Sequence, residues 1–574
     1  MTGQGSQWLR RRVSRRASLR AGAIGAGGAG LFVLACGSDE DSGSSSTSDE
    51  TRGLVTATAQ AATTKQPTPG GSLSFQISSP PPSLDPYTQT SFINSYMNGL
   101  TYSKLWRFKA GVPEVSPGDI SMEPDLAQNM GEQPDQMTMV VKLKPAKWQN
   151  VAPVNGRNLT SEDIAYAVDR YRNFDKSVHK SSYIWLDQLE TPDAQTVVFK
   201  TKAPYADLVQ IMGGNLGSWI SPREHAESAD AATKMVGSGP FIHTEFQTGV
   251  SLSYRKNPDY YDKPFPYLDE LKTFIVTDTA KRVADFSARS VDLTWLFLPD
   301  ERDQLKRNRP DAQFDEQQGI GGYIYLRTDR PPFNDKRVRQ AMSMGLNRKA
   351  LRDAISKGEG VADQIVFVGL EGWARQVKDL GAAAKYWDYN PQEAKQLLAA
   401  AGQPSINTTW DHADAAVYTQ AYVDTSTLAQ AQLKEIGITI EDRPAPYSQY
   451  ISTTYQGQYE GLGHSPRAVP YWMDYLTERL YWDTAKGPAG RARINLSYVQ
   501  NPQLNQLLDK QRGQFDMNER KATIKEIESI CAEEQYEIYF STDTRTYFWD
   551  PKVTNYRPTS WFPYTHLMKT WKEG

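Results

Sequence analysis

Pro331-Pro332-Phe333-Asn334-Asp335-Lys336-Arg337-Val338-Arg339-Gln340-Ala341 is the most instructive run in this chain of 574 residues. Two prolines stiffen its entry, and Asp335 stands where a side chain caps a helix whose Val338, Ala341 and Met342 form one apolar face. Toward the N-terminus, Thr160-Ser161-Glu162-Asp163 opens another helix with a capping-box pattern, and Ile164, Val168 and Tyr171 share its face. Leu73, Phe75 and Ile77 alternate as a half-buried strand would, and Thr138 to Leu143 and Thr196 to Lys200 are further strand candidates. Toward the C-terminus, Asn390-Pro391 is a cap and first-turn signal, Ala394, Leu397, Leu398 and Ala401 give the face, and Gly402 stops the helix. Another helix ends at Gly437 before the strand Ile438-Thr439-Ile440, and Ile524, Ile527, Ile530 and Cys531 share a late helix face, which makes Cys531 a core thiol. Helices and strands interleave along both halves, so the fold class is mixed α/β.

At the N-terminus, Ser14-Arg15-Arg16-Ala17-Ser18-Leu19-Arg20 fits a twin-arginine export signal, and an uncharged stretch from Ala21 to Ala35 follows it. Val33-Leu34-Ala35-Cys36 resembles a lipoprotein cleavage box in which Cys36 is lipidated, although Leu34 stands where Ala or Ser is usual. The anchor is therefore either a lipid on Cys36 or the uncleaved helix. Residues 38–70 are small and polar apart from Leu54 and Val55, too poor in apolar surface to offset their ordering entropy. Such a tether of 33 residues reaches roughly 30 Å as a flexible coil.

Six of the 64 Lys and Arg residues, and none of the 67 Asp and Glu, precede Cys36, so the remainder carries 58 − 67 = −9. This mildly acidic body lacks the basic patch that nucleic-acid binding needs. With two cysteines, one being the proposed lipid site, Cys531 has no intramolecular disulfide partner. Catalytic patterns are missing as well: there is no G-x-S-x-G, H-E-x-x-H, C-x-x-C or Walker loop, and the six histidines are scattered singly. Neither a metal nor another cofactor is expected.

Several motifs in order resemble the extracytoplasmic solute-binding proteins of peptide/nickel-type ABC importers, family 5. They are Ser83-Leu84-Asp85-Pro86, Glu123-Pro124-Asp125-Leu126-Ala127, the block from Asn155-Gly156 to Ile164, Gly237-Ser238-Gly239-Pro240-Phe241, Arg255-Lys256-Asn257-Pro258-Asp259-Tyr260-Tyr261, residues 331–341, and Leu433-Lys434-Glu435-Ile436-Gly437-Ile438. The resemblance implies a two-lobed periplasmic-binding-protein type II fold with an extra small subdomain in the first lobe. Its expected layout is a signal (1–35), a tether (36–70), lobe I (71–325, with the subdomain at about 105–235), lobe II (326–543) and a return to lobe I (544–574).

In that family's peptide binders, a strand ending in W-x-x-D-Y-x-D-P supplies an Asp for the ligand's amino terminus. Here Tyr459 to Ser465 approaches that position and the sequence then departs. Asp474 is the nearest candidate anchor, Arg467 would favour an anionic group, and His464, Tyr471 and Trp472 flank them. Tyr96, Trp185, Trp295, Trp410 and Asp411 are further candidate ligand contacts, chosen because aromatic rings offer rigid surface at low entropy cost. The implied function is a non-enzymatic, monomeric receptor on the outer face of the cytoplasmic membrane. It would pass an oligopeptide or similar polar solute to an ABC permease. A secreted hydrolase of polysaccharide or peptide, and a peptide sensor or chaperone on the same fold, are the alternatives.

Overall fold

Seven strands in the order Gln313–Gln318, Thr544–Trp549, Leu293–Leu296, Ser72–Ile77, Glu270–Ile275, Ser251–Lys256 and Phe241–Gln247 form the sheet of the first lobe. The structure is a computed structural model and describes residues 65–574 apart from 90, 117–118, 215–216, 320, 371, 419, 468–471, 487–490, 493 and 560–563. Candidate residues Tyr471 and Cys36, with the signal and most of the tether, lie outside the described residues. No described helix is long and apolar enough to cross a membrane.

Leu73, Phe75 and Ile77 are buried, in keeping with the alternation, but so is Gln76 between them. The half-buried alternation holds from Ser72, which is exposed, and Ser74, which is part-exposed, to Ile77, with Gln76 the one departure in a strand that has parallel neighbours on both sides. At that position the Gln76 amide is satisfied by Asp285 Oδ2 and the Thr294 hydroxyl, each at 3.0 Å.

A four-stranded antiparallel sheet of Glu132–Asp135, Thr138–Lys142, Thr196–Thr201 and Leu186–Asp193 forms the small subdomain. Against it lies helix Ser161–Asn173, where the Asp163 carboxylate accepts the Thr160 backbone N–H at 3.0 Å.

The second lobe is built on five strands in the order Ile438–Ala445, Ile406–Ala413, Leu462–Pro466, Gly322–Leu326 and Glu537–Tyr539. Asp335 caps helix Lys336–Met344 by accepting the Arg337 N–H at 2.9 Å, and Asn390 caps Pro391–Ala400 through the Glu393 N–H at 3.0 Å. Val338, Ala341 and Met342 then fill the core beneath one face of the sheet, with Ile324, Leu326 and Ile538. Gly437 sits at φ +103°, where a Cβ would lie 2.6 Å from the Pro404 carbonyl, so only glycine makes the turn from helix Gln420–Glu435 into the next strand. Cys531 is buried in helix Met517–Glu534, and burial holds its thiol well above the usual range.

Candidate functional site

Strand direction decides where the two lobes face each other. In the first lobe, Ser72–Ile77, Glu270–Ile275, Leu293–Leu296 and Gln313–Gln318 all run one way, and Thr544–Trp549 runs against them. In the second, Ile406–Ala413, Ile438–Ala445, Leu462–Pro466 and Glu537–Tyr539 share a direction, opposed by Gly322–Leu326. The chain leaves the first sheet after Gln318, at its carboxyl edge, and enters the second at Gly322, opposite Pro466 at the carboxyl edge there. It returns after Tyr539 to Thr544, again from carboxyl edge to carboxyl edge. Open α/β sheets bind ligands in the crevice beyond those strand ends.

At the first edge, the Arg545 guanidinium lies over the rings of Trp295 (5.4 Å) and Phe297 (4.9 Å) and donates to the Tyr547 hydroxyl at 3.2 Å. Tyr96 and Asp543 share its electrostatic surroundings. Two sequence-predicted residues, Tyr96 and Trp295, are thus brought to one arginine that the sequence reading missed. Burial pushes the Asp543 carboxyl up to about 6, against the lowering effect of Arg545 and Arg302. Asp543 Oδ1 is enclosed without a hydrogen-bond partner among the described residues and lies against Gly319, where a Cβ would stand only 1.7 Å from it.

At the second edge, Arg467 follows its strand directly, and its backbone N–H donates to the Gly321 carbonyl at 2.9 Å. Its guanidinium is spent internally: Nη1 bonds Asp363 Oδ2 at 2.7 Å and the Gln364 carbonyl, and Nη2 bonds the Ile365 carbonyl. Burial raises the Asp363 carboxyl and Arg467 opposes that rise. Behind them Arg479 pairs with Glu537 among Tyr323, Tyr475 and Tyr539, all buried.

The remaining candidates are placed elsewhere. Trp410 and His464 meet edge to face at 5.9 Å in the core of the second lobe. His464 stacks on Tyr422 at 4.2 Å and shares a hydrogen bond with Ser426 Oγ at 2.7 Å, and burial holds it well below the usual histidine range. Asp411 projects from the opposite face of the strand from Trp410, because successive side chains alternate. Burial raises the Asp411 carboxyl and Arg443 lowers it. Trp185 stacks on Tyr205 at 5.1 Å, and Trp472 is buried edge-on to Tyr475 at 6.1 Å.

Asp474 is buried with its carboxylate engaged: Arg512 Nε lies 2.8 Å from Oδ1, and the Tyr205 hydroxyl donates to Oδ2 at 3.1 Å. Burial raises its carboxyl, and Arg512 lowers it. The signal for Arg545 and Asp543 was in the wholly polar run Thr542-Asp543-Thr544-Arg545-Thr546, which leads into strand Thr544–Trp549 at the expected return to lobe I. Among the described residues no group of His, Cys, Asp and Glu is arranged to hold a metal.

Two α/β lobes whose carboxyl edges meet at two chain passages define the class of two-lobed periplasmic binding proteins. Residues 121–487, more than half of the chain, match the model for bacterial extracellular solute-binding proteins, family 5 middle region. The chain belongs to that family, whose members bind solutes and are not enzymes.

Among relatives, it is 27% identical over 350 residues to a provisionally named ABC transporter peptide-binding protein of Brucella ovis, covering 58% of this chain and 62% of that protein. It is 26% identical over 324 residues to the dipeptide-binding protein of Escherichia coli K12, covering 52% and 57%. The match therefore spans less than two thirds of either relative. In structure it is similar to the Helicobacter pylori periplasmic binding protein DppA in complex with the peptide STSA, with a TM-score of 0.74, 20% identity, and coverage of 88% and 99%. It is likewise similar to the PBP AgaA from A.tumefacien R10 in complex with agropinic acid, with a TM-score of 0.73, 23% identity, and coverage of 88% and 99%.

Proposed function

We propose that this chain is an extracytoplasmic receptor that captures an oligopeptide or similar polar solute between its lobes and hands it to an ABC import permease. The observation that carries this reading is the meeting of the two carboxyl edges, with Tyr96, Trp295 and Arg545 gathered on the first. Aromatic faces beside a half-buried charge suit a polar ligand with apolar parts. Relatives named for dipeptide and peptide binding support a ligand of that size.

The layout in this proposal keeps lobe I, its inserted subdomain, lobe II and the final return. Strand membership favours a first passage between residues 318 and 322, a few residues ahead of 325, and a second between 539 and 544. Cys36 tethers the receptor to the outer face of the cytoplasmic membrane, and the receptor acts as a monomer. A panel of di- to nonapeptides and sugar–amino-acid conjugates, scored by thermal shift, tests the reading. A solute at 100 times its Kd adds about 2.7 kcal/mol to folding stability. No shift across the panel, with unimpaired peptide uptake after deletion of the gene, would contradict it.

A further inference from the structure

Residues 318–322 and 539–544 carry the chain between the two sheets, and the two passages lie side by side. The Gly319 N–H donates to the Asp543 carbonyl at 2.9 Å, and Gln318 Nε2 donates to the same oxygen at 2.8 Å. The Phe540 N–H donates to the Gly322 carbonyl at 2.9 Å. Residues 360–362 join the second passage: the Thr542 N–H donates to the Val361 carbonyl at 2.8 Å, and the Val361 N–H to Thr542 Oγ1 at 3.0 Å. The side chain of Asp543 is set into this joint, with Oδ1 enclosed against Gly319 and without a hydrogen-bond partner among the described residues.

Charged groups face Asp543 from three elements: Arg545 on its own strand, Arg302 on helix Pro299–Asn308, and Glu359 just beyond helix Arg348–Ser356. Arg302 is committed to Glu359 and to the Thr546 hydroxyl at 3.1 Å, with Glu316 at 3.8 Å, and Arg352 donates to the Ser541 hydroxyl at 2.9 Å. Burial outweighs both arginines at Asp543 and lifts its carboxyl to about 6. A neutral carboxyl suits dry contact with a glycine. An ionised oxygen without a donor is stabilised there only by water, and water reaches Oδ1 only when Gly319 and Asp543 part.

We propose that Asp543 is a proton-operated pin in the joint between the lobes: protonated, it keeps the two passages packed, and ionised, it draws water between them and loosens the joint. The pin rests on the geometry of the joint and on no assumption about the solute. Its hold is fully present below the ordinary carboxylate range and is lost as pH rises through about 6. Movement of one lobe against the other is thereby easier in neutral than in acidic surroundings.

Amide hydrogen exchange on the full chain between about pH 4.5 and about pH 7.5, each rate divided by the intrinsic rate at that pH, tests this directly. In the wild type, protection of the Gly319 and Thr542 amides falls by about tenfold or more across the window and levels off above the Asp543 titration. Asp543→Asn abolishes the fall, while strands Glu270–Ile275 and Ile438–Ala445 keep their protection, which shows that the variant is folded. Glu359→Gln changes a carboxylate that is itself 38% exposed. It removes a neighbouring negative charge, eases the ionisation of Asp543 and so makes the fall smaller. The proposal is overturned if wild-type protection at the two amides stays flat with pH, or if Asp543→Asn shows the same fall. It is equally overturned if the fall in Glu359→Gln matches that of the wild type, an outcome that stands whether or not Asp543→Asn folds.

Discussion

Arg467 and Asp363 meet at 2.7 Å with neither side chain reaching solvent, so the arginine at the carboxyl edge of the second lobe arrives already neutralised. The cost of this pair is visible only when one member is removed. Asp363→Ala leaves a buried unpaired guanidinium and should lower the unfolding free energy by about 3–5 kcal/mol in guanidinium titration. Asp363→Leu combined with Arg467→Met should cost clearly less. Equal losses in the single and double variants would show that the pair is not coupled.

Asp543 makes stability depend on pH in a definite direction. Its folded pKa, about 6, lies above the usual carboxylate value, so the folded state holds the proton more tightly. This contribution is fully present below about pH 4 and is lost as pH rises through 6. Asp543→Asn should therefore gain on the wild type by on the order of 2 kcal/mol between pH 4 and pH 7. A difference between the two proteins that stays flat across that window would remove the burial argument.

Asp335 offers a test of local architecture. Its carboxylate caps helix Lys336–Met344 through the Arg337 N–H. Asp335→Ala should cost about 1 kcal/mol in thermal or chemical unfolding, and Asp335→Asn, which keeps the acceptor, far less.

Cys36→Ser addresses the anchor. On the lipid reading it should move the protein from the membrane fraction to the soluble fraction after cell lysis. Unchanged membrane retention would leave the uncleaved helix as the anchor.

Capped helices were legible because a cap is local: Asp335 and Asn390 lie beside the backbone groups they satisfy. The centrality of strand Ser72–Ile77 was not, since its neighbours Glu270–Ile275 and Leu293–Leu296 come from about two hundred residues away and nothing nearby announces a buried Gln76. The site divided in the same manner. Tyr96 and Trp295 were singled out as aromatics and lie in helix Phe92–Thr101 and strand Leu293–Leu296, while Arg545 beside them was not, because its ring partners lie some 250 residues earlier. Asp474 had the chemistry of an anchor, but its partners Tyr205 and Arg512 come from separate segments, and only folding shows its charge already engaged.

The central claim is that solute binds where the two carboxyl edges meet. Its most direct test is to identify by mass spectrometry the solute released from purified, denatured protein, then titrate it calorimetrically into wild type, Trp295→Ala and Tyr96→Ala. The account predicts one site per chain and at least a tenfold loss of affinity, about 1.4 kcal/mol, in each variant. Wild-type affinity in both variants would place the solute elsewhere and contradict it.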